Sequence, residues 1–372
     1  LLGKLKLGVK PKLQWDASYK VVDNSQSNFP KNSQVLEFFR TPSTPEEVWH
    51  RLHPELQNLE DFANTLKQSI AQRRLKEDFQ LPEFDRPIFI VSTPRSGSTL
   101  LFETLSQFPD LWTIGRESHD IMEGIPELHP AFRSYSSNGL TEADALPHVS
   151  LALRDGFVRQ LRDRSKTAYI NLPVKERPQR IRFLEKTPKN VLRVPFLQAV
   201  FPDALFIFLY REPKGNISSM IEGWKAKRFI SYPQLPGWQE KNWSFLLIPG
   251  WQSLQNCSIA EIAAYQWKIA NSCIWDDLQS LPSSSWCLLG YKDLIKEPKK
   301  VIGKIGKFVG LSWDGQIEEK LSQSLPNSAE TISPPSPNKW RKNEREILEI
   351  LPIVEPIANL IETKLNGFKN IT

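Results

Sequence analysis

A three-layer α/β fold, with a central parallel sheet covered by helices on both faces, is the architecture this sequence predicts. Short apolar runs recur along the chain, helical periodicities fall between them, and the turn that leaves the first run is rich in small hydroxyl residues and glycine. Runs so uniformly apolar do not suit a sheet with one wet face, so they read as strands buried on both sides. Strands that alternate with helices imply crossover connections, and crossovers set the helices above and below a parallel sheet.

Residues 1–80 read as an N-terminal arm and a helix packed on the core, and residues 81–372 as the main domain. Up to about residue 45 the chain is polar, with no lasting period. Thr44 then offers an N-cap, Pro45, Glu46 and Glu47 a first turn, and Val48, Leu52, Leu56, Leu59, Phe62, Leu66 and Ile70 an apolar stripe. The first strand is expected at Pro87–Ser92, and others at Ile181–Leu184, Leu205–Tyr210 and Trp286–Gly290. Helices are expected over Thr99–Phe108, Lys189–Phe201, Gly215–Lys225, Ile259–Leu281, Pro298–Val309 and Asn343–Leu365. Trp224, Trp238, Trp243 and Trp251 sit among Pro233, Pro236, Gly237, Pro249 and Gly250, which marks 224–256 as an ordered loop or lid inserted in the domain. Its indoles could form the apolar wall of a binding site, the favoured reading, or the insertion's own core. A second irregular connection, with three prolines, spans Ser328–Asn338.

With 372 residues, 40% hydrophobic and 24% charged, the chain can bury a full core. Its net charge of +6 favours anionic partners, but charge alone does not choose among nucleotides, nucleic acid and membrane surfaces. Cys257, Cys273 and Cys287 are odd in number and far apart, which indicates neither a disulfide framework nor a zinc site and points to a reducing, cytoplasmic setting. No apolar run approaches the ~20 residues of a membrane span, and Leu1–Pro11 lacks a signal-peptide cleavage pattern. A start at Leu1 rather than Met is what a trimmed chain, or a domain of a longer polypeptide, would show.

The segment Ser92–Thr99, sequence STPRSGST, follows the first strand and opens a helix. A phosphate needs close backbone approach, oriented N–H donors and positive potential. Gly97 and the helix N-terminus supply the first two, Arg95 supplies charge, and Ser96, Ser98 and Thr99 add hydroxyls after Pro94. Compared with a Walker A loop, Ser92 stands at the first Gly position and Ser98 at the Lys position, which disfavours ATP hydrolysis. Taken by itself the segment is also compatible with a simple Ser/Thr-capped helix.

The run Thr93–Thr99 resembles the 5′-phosphosulfate-binding loop of sulfotransferases, enzymes that use 3′-phosphoadenosine 5′-phosphosulfate (PAPS). Their second motif, a strand followed by Arg and by Ser eight residues later, is matched by Leu205–Tyr210, Arg211 and Ser219. An Arg at a strand's carboxyl end and a Ser on the following helix can converge on one phosphate. The resemblance implies a P-loop-type fold, and PAPS held by Pro94, Arg95, Ser96, Gly97, Ser98, Thr99, Arg211 and Ser219, with adenosine 3′,5′-bisphosphate as product and no metal required.

Further likenesses extend it from about Pro87 to Leu365. Phe183–Asn190 resembles the segment upstream of the second motif in tyrosylprotein sulfotransferases, which implies that Lys186 stabilises the transferring group. Ile114–His119 resembles the stretch that carries the catalytic base in that branch, displaced by one residue. Glu117 is therefore the first candidate for the base and His119 the second, since an acceptor hydroxyl must lose its proton in the transition state. Tyr291 falls in a family strand motif, either against the nucleotide or in the core, although Lys292 and Asp293 depart from the pattern there. Asn338–Lys342 resembles loosely the basic segment that closes over the cofactor, which brings in Arg341. The implied acceptor is a hydroxyl on a small molecule, a carbohydrate, a carrier-bound chain or a peptide, with no nucleic acid and no membrane span. A nucleotide kinase or NTPase, or a non-catalytic polyanion-binding module, stands as the alternative.

Overall fold

Period-two alternation, unusual for strands so uniformly apolar, sorts side chains by shape onto the two faces of the sheet. The computed structural model describes residue 68 and residues 81–369, apart from 241, 324, 327 and 333–335. The arm and most of the helix expected after Thr44 lie outside the described residues. The strands are β1 (Glu83–Phe84), β2 (Ile88–Val91), β3 (Leu111–Trp112), β4 (Arg180–Lys186), β5 (Leu205–Tyr210), β6 (Ile230–Pro233), β7 (Asn242–Ser244) and β8 (Trp286–Gly290). Six of them form one sheet in the order β1-β4-β2-β5-β8, with β3 also on β4. Every pairing within it is parallel. β6 and β7 form a separate antiparallel hairpin.

Ile88 and Ile90 of β2, with Leu205, Ile207 and Leu209 of β5, face one core with Leu101, Leu105, Ile302 and Ile305. Phe89, Val91, Phe206 and Phe208 face the other, where Phe183, Phe196, Phe201 and Trp267 pack. Both faces are dry, as a parallel sheet between helix layers requires. The helices are α1 (Ser98–Leu105), α2 (His119–Glu123), α3 (Pro147–Gln160), α4 (Val194–Val200), α5 (Pro213–Lys225), α6 (Ile259–Gln279), α7 (Tyr291–Lys296), α8 (Pro298–Val309), α9 (Gly315–Ser322) and α10 (Glu344–Lys369).

Each sequence-predicted strand is present, and β4 extends two residues beyond the expected run at its carboxyl end, to Lys186. The helix expected over Lys189–Phe201 is instead a 3-10 turn at Pro188–Leu192 followed by α4, because Arg193 has φ −136° and Pro195 opens the second piece. A proline ring inside a continuous helix would remove a hydrogen bond and clash with the preceding turn. Among the described residues no helix is long and apolar enough to cross a membrane.

Because the sheet is parallel, β2, β4, β5 and β8 all end at one edge. The chain passes from β4 on one side of β2 to β5 on the other, so β2 is the point where the winding reverses, and the crevice there is where open α/β sheets bind ligands.

Candidate active site

The loop from β2 to α1 sits at that crevice. Arg95 has φ 68° and Gly97 has φ 92°, both left-handed, so the chain turns sharply enough to aim the start of α1 back over the strand ends. The first turn of α1 leaves its N–H groups without intrahelical acceptors. A Cβ on Gly97 would lie 2.5 Å from Cε2 of Tyr291, so the backbone here approaches an aromatic ring too closely for any side chain.

The second predicted motif meets this loop directly. The Arg95 Nε donates to Ser219 Oγ at 3.4 Å, and Arg211 Nη1 donates to the Arg95 carbonyl at 2.8 Å. The Arg211 guanidinium also lies over the Tyr291 ring, 4.6 Å from its centroid. Arg95 lies over Phe229 at the same separation, 4.6 Å, and Phe229 stacks on Phe245. Burial lowers the pKa of both guanidinium groups from the usual arginine value. They share one corner of the crevice with Tyr291, and such a concentration of half-buried positive charge suits a polyanion. Pro94, Ser96 and Ser98 are buried within the loop.

Lys186 ends β4 on the other side of β2, almost wholly buried. Its Nζ donates to Thr99 Oγ1 at 3.1 Å and to Glu117 Oε1 at 2.5 Å. The other carboxylate oxygen of Glu117 is 2.8 Å from His119 Nε2, so the two candidate bases are one hydrogen-bonded unit. Burial opposes ionisation of Glu117, but the His119 hydrogen bond and the Lys186 charge outweigh it and hold the carboxyl at about 2. Just beneath, the buried Glu185 carboxylate accepts from Ser118 Oγ at 2.7 Å, from Asn190 Nδ2 at 2.6 Å and from the Thr187 hydroxyl. The Ser118 N–H donates to Thr187 Oγ1 at 2.7 Å, so the loop that carries Glu117 is fastened to the end of β4.

Arg341 does not join the loop between β2 and α1. It is 58% exposed and pairs with Glu344 at 2.8 Å. Its neighbour Trp340 carries the link instead: its ring lies against Arg341 on one hand and Lys214 of α5 on the other, at 5.2 and 5.1 Å.

The insertion's indoles are turned inward. Trp224, Trp238, Trp243 and Trp251 are at most 8% exposed. They meet one another edge-on at 4.9–6.0 Å, so these four rings make the segment's core rather than an open wall. What the hairpin does send toward the site is Tyr232. Its hydroxyl accepts from Lys189 Nζ at 2.9 Å and bonds Asn138. Lys189 and Arg193 both donate to Glu123 Oε1, at 2.6 and 3.2 Å. Glu123 is held ionised far below the usual range: burial opposes this, and Lys189 and Arg193 prevail.

Sequence reasoning missed Asn216, Phe229 and this Glu123 cluster. Asn216 had a readable signal, a polar residue in line with Met220 and Trp224 on the apolar face of α5. Among the described residues no group of three or more His, Cys, Asp or Glu is placed to hold a metal ion.

The chain matches the sulfotransferase family over residues 87–315. It is 22% identical over 231 residues to protein-tyrosine sulfotransferase 2 of Gallus gallus, which covers 62% of this chain and 52% of that protein. The chain spans about half the length of the curated relatives it matches. Among solved structures, a sulfotransferase domain from the curacin biosynthetic pathway is 20% identical with TM-score 0.40, over 74% of this chain and 98% of that one. A sulfotransferase of Mycobacterium avium is 13% identical with TM-score 0.45, over 91% and 98%.

Proposed function

Since the chain belongs to the sulfotransferase family, we propose that it transfers a sulfuryl group in line from PAPS to an acceptor hydroxyl, releasing adenosine 3′,5′-bisphosphate. The observation that carries this reading is the contact between the two phosphate motifs: Arg95 touches both Ser219 and Arg211 at the edge where Lys186 and Glu117 also meet.

The bound donor supplies an electrophilic sulfur with a phosphate leaving group. The chain's part is to hold and neutralise it. Arg95, the first turn of α1 and the hydroxyls of Ser96, Ser98 and Thr99 would meet the 5′-phosphosulfate, and Arg211 with Ser219 the 3′-phosphate. Lys186, bonded to Thr99, is set to offset charge on the departing bridge oxygen. As the acceptor oxygen bonds to sulfur and the sulfur–bridge bond breaks, the hydroxyl proton passes to Glu117. A carboxylate held at about 2 is ionised at neutral pH and so free to accept that proton, and the 2.8 Å contact to His119 holds it in place. Arg95 and Lys186 would both face the transferring group, which supports turnover without a divalent metal. Tyr291 and Trp340 are apolar surfaces for the nucleotide, with Arg341 at their margin.

The acceptor is a hydroxyl of a small molecule, a carbohydrate, a carrier-bound chain or a peptide; the name of the Gallus gallus relative favours the tyrosyl hydroxyl of a peptide. We place the reaction in the cytoplasm, with neither nucleic acid nor membrane as partner. Calorimetry tests the nucleotide reading: adenosine 3′,5′-bisphosphate should bind much more tightly than AMP or ATP, because each charged hydrogen bond to the 3′-phosphate is worth about 1.5–3 kcal/mol. Equal affinity for AMP and the bisphosphate would remove it. A strict magnesium requirement for turnover would return weight to a kinase.

A further inference from the structure

Asn216 lies on α5 between the two residues of the second phosphate motif, yet its side chain reaches away from them into the first. The side chain is fully buried. Its Oδ1 accepts from Thr93 Oγ1 at 2.6 Å and from Ser96 Oγ at 3.1 Å, and its Nδ2 donates to the Pro94 carbonyl at 2.9 Å. An amide oxygen has two lone pairs, and both are used. Thr93 and Ser96 also approach each other at 2.6 Å, so three side chains close a small polar ring under the loop.

The contacts fall on both sides of Arg95, a non-glycine residue at φ 68°. Left-handed backbone of this kind costs about 1–2 kcal/mol and persists only where the surroundings over-determine it. Here the Asn216 amide holds the residues on either side, while Arg211 holds the Arg95 carbonyl itself. We propose that Asn216 is a positioning residue for sulfuryl transfer: it holds the phosphate loop in its phosphate-receiving shape and ties that loop to the helix that carries Ser219. This rests on the nucleotide reading above. It assigns Asn216 to the 5′ end of the ligand, although by sequence it sits within the 3′ motif.

The two ends of the nucleotide separate this role from a general structural one. Loosening the loop should weaken contacts to the 5′-phosphate and spare those of Arg211 and Ser219 with the 3′-phosphate. Titration of the full chain with adenosine 3′,5′-bisphosphate and with adenosine 3′-monophosphate measures both. We expect Asn216→Ala to weaken the bisphosphate about tenfold or more, the scale of a lost buried hydrogen bond with its partners left unpaired, while the 3′-monophosphate changes by less than about twofold. Thr93→Val, which keeps the shape without the hydroxyl, should act in the same direction, and Thr93→Ser should restore wild-type binding. If Asn216→Ala does not fold, the Val and Ser variants at Thr93 carry the comparison. Equal loss for both ligands, or loss for neither, overturns the inference alone. Failure of the wild-type chain to bind the bisphosphate overturns the nucleotide reading and the inference with it.

Discussion

Replacing Gly97 with alanine probes the loop at its tightest point. The residue has φ 92°, and a Cβ there would lie 2.5 and 2.6 Å from Cε2 and Cδ2 of Tyr291. Two separate costs follow. A side chain on left-handed backbone costs about 1–2 kcal/mol. Carbon atoms prefer roughly 3.5–4.0 Å, so the new methyl overlaps the ring by about an ångström, and overpacking of that kind costs about 1–3 kcal/mol. The ring is not free to swing clear, since Tyr291 begins α7 and the Arg211 guanidinium lies over its face. Gly97→Ala should therefore destabilise by roughly 2–5 kcal/mol. In a Tyr291→Ala background only the backbone cost remains, about 1–2 kcal/mol. Urea unfolding of the wild type, both single variants and the double variant closes a cycle whose coupling should be about 1–3 kcal/mol. A Gly97→Ala variant within about 0.5 kcal/mol of wild type, or a cost unchanged when the ring is removed, would refute the account of this turn.

Glu117→Gln should lower the transfer rate by roughly 10²–10⁴ with nucleotide affinity nearly unchanged, and His119→Asn should cost less; an inactive His119→Asn beside an active Glu117→Gln would reverse the roles. The depressed Glu117 carboxyl contributes stability that is fully present above its ordinary 4.5 and lost as pH falls toward about 2, so acid unfolding of Glu117→Gln should be shallower across that window. Burial, with Asp276 alongside, raises Asp277 to about 6, so its ionised form is a liability that grows as pH rises from about 4 through 6. Asp277→Asn should stabilise the chain at pH 8 by denaturant midpoint, with the gain gone near pH 4. Trp243→Ala empties a fully buried site in the insertion and should cost about 3–5 kcal/mol in the same unfolding assay.

The elements easiest to read were those set by local pattern. β2 and β5 announce themselves because burial on both faces leaves no polar position in Ile88–Val91 or Leu205–Tyr210. The two stretches proposed to meet phosphate could be singled out because each is short and its chemistry local, and the sheet then brings Arg95 to Ser219. What the sequence could not order was Glu117 against His119: residues two apart need not touch, and only the turn before α2 makes them a pair. α3 escaped notice because its apolar residues, Val149, Leu153 and Phe157, are followed by a polar stretch and preceded by a succession of 3-10 turns. Trp243 and its neighbours were misdirected by residue type, since an indole suits a ligand wall and a core equally well until its partners are known. The Glu123 cluster was invisible for a different reason: its members are scattered, and nothing in the charge pattern says that one carboxylate will serve them all.

That carboxylate decides how freely the insertion could be exchanged. Tyr232 arrives from the hairpin, Lys189 and Arg193 from beyond β4, Asn138 from the loop ahead of α3, and Glu123 from α2. Removing one member of a buried ion cluster strands the others, at a cost of about 3–5 kcal/mol. A transplanted hairpin lacking the Tyr232 hydroxyl would leave Lys189 with its Glu123 ion pair but one buried acceptor fewer. Exchanging the hairpin on this scaffold thus means carrying Asn138, Glu123, Lys189 and Arg193 along with it, so stretches far apart in the sequence should change together or not at all.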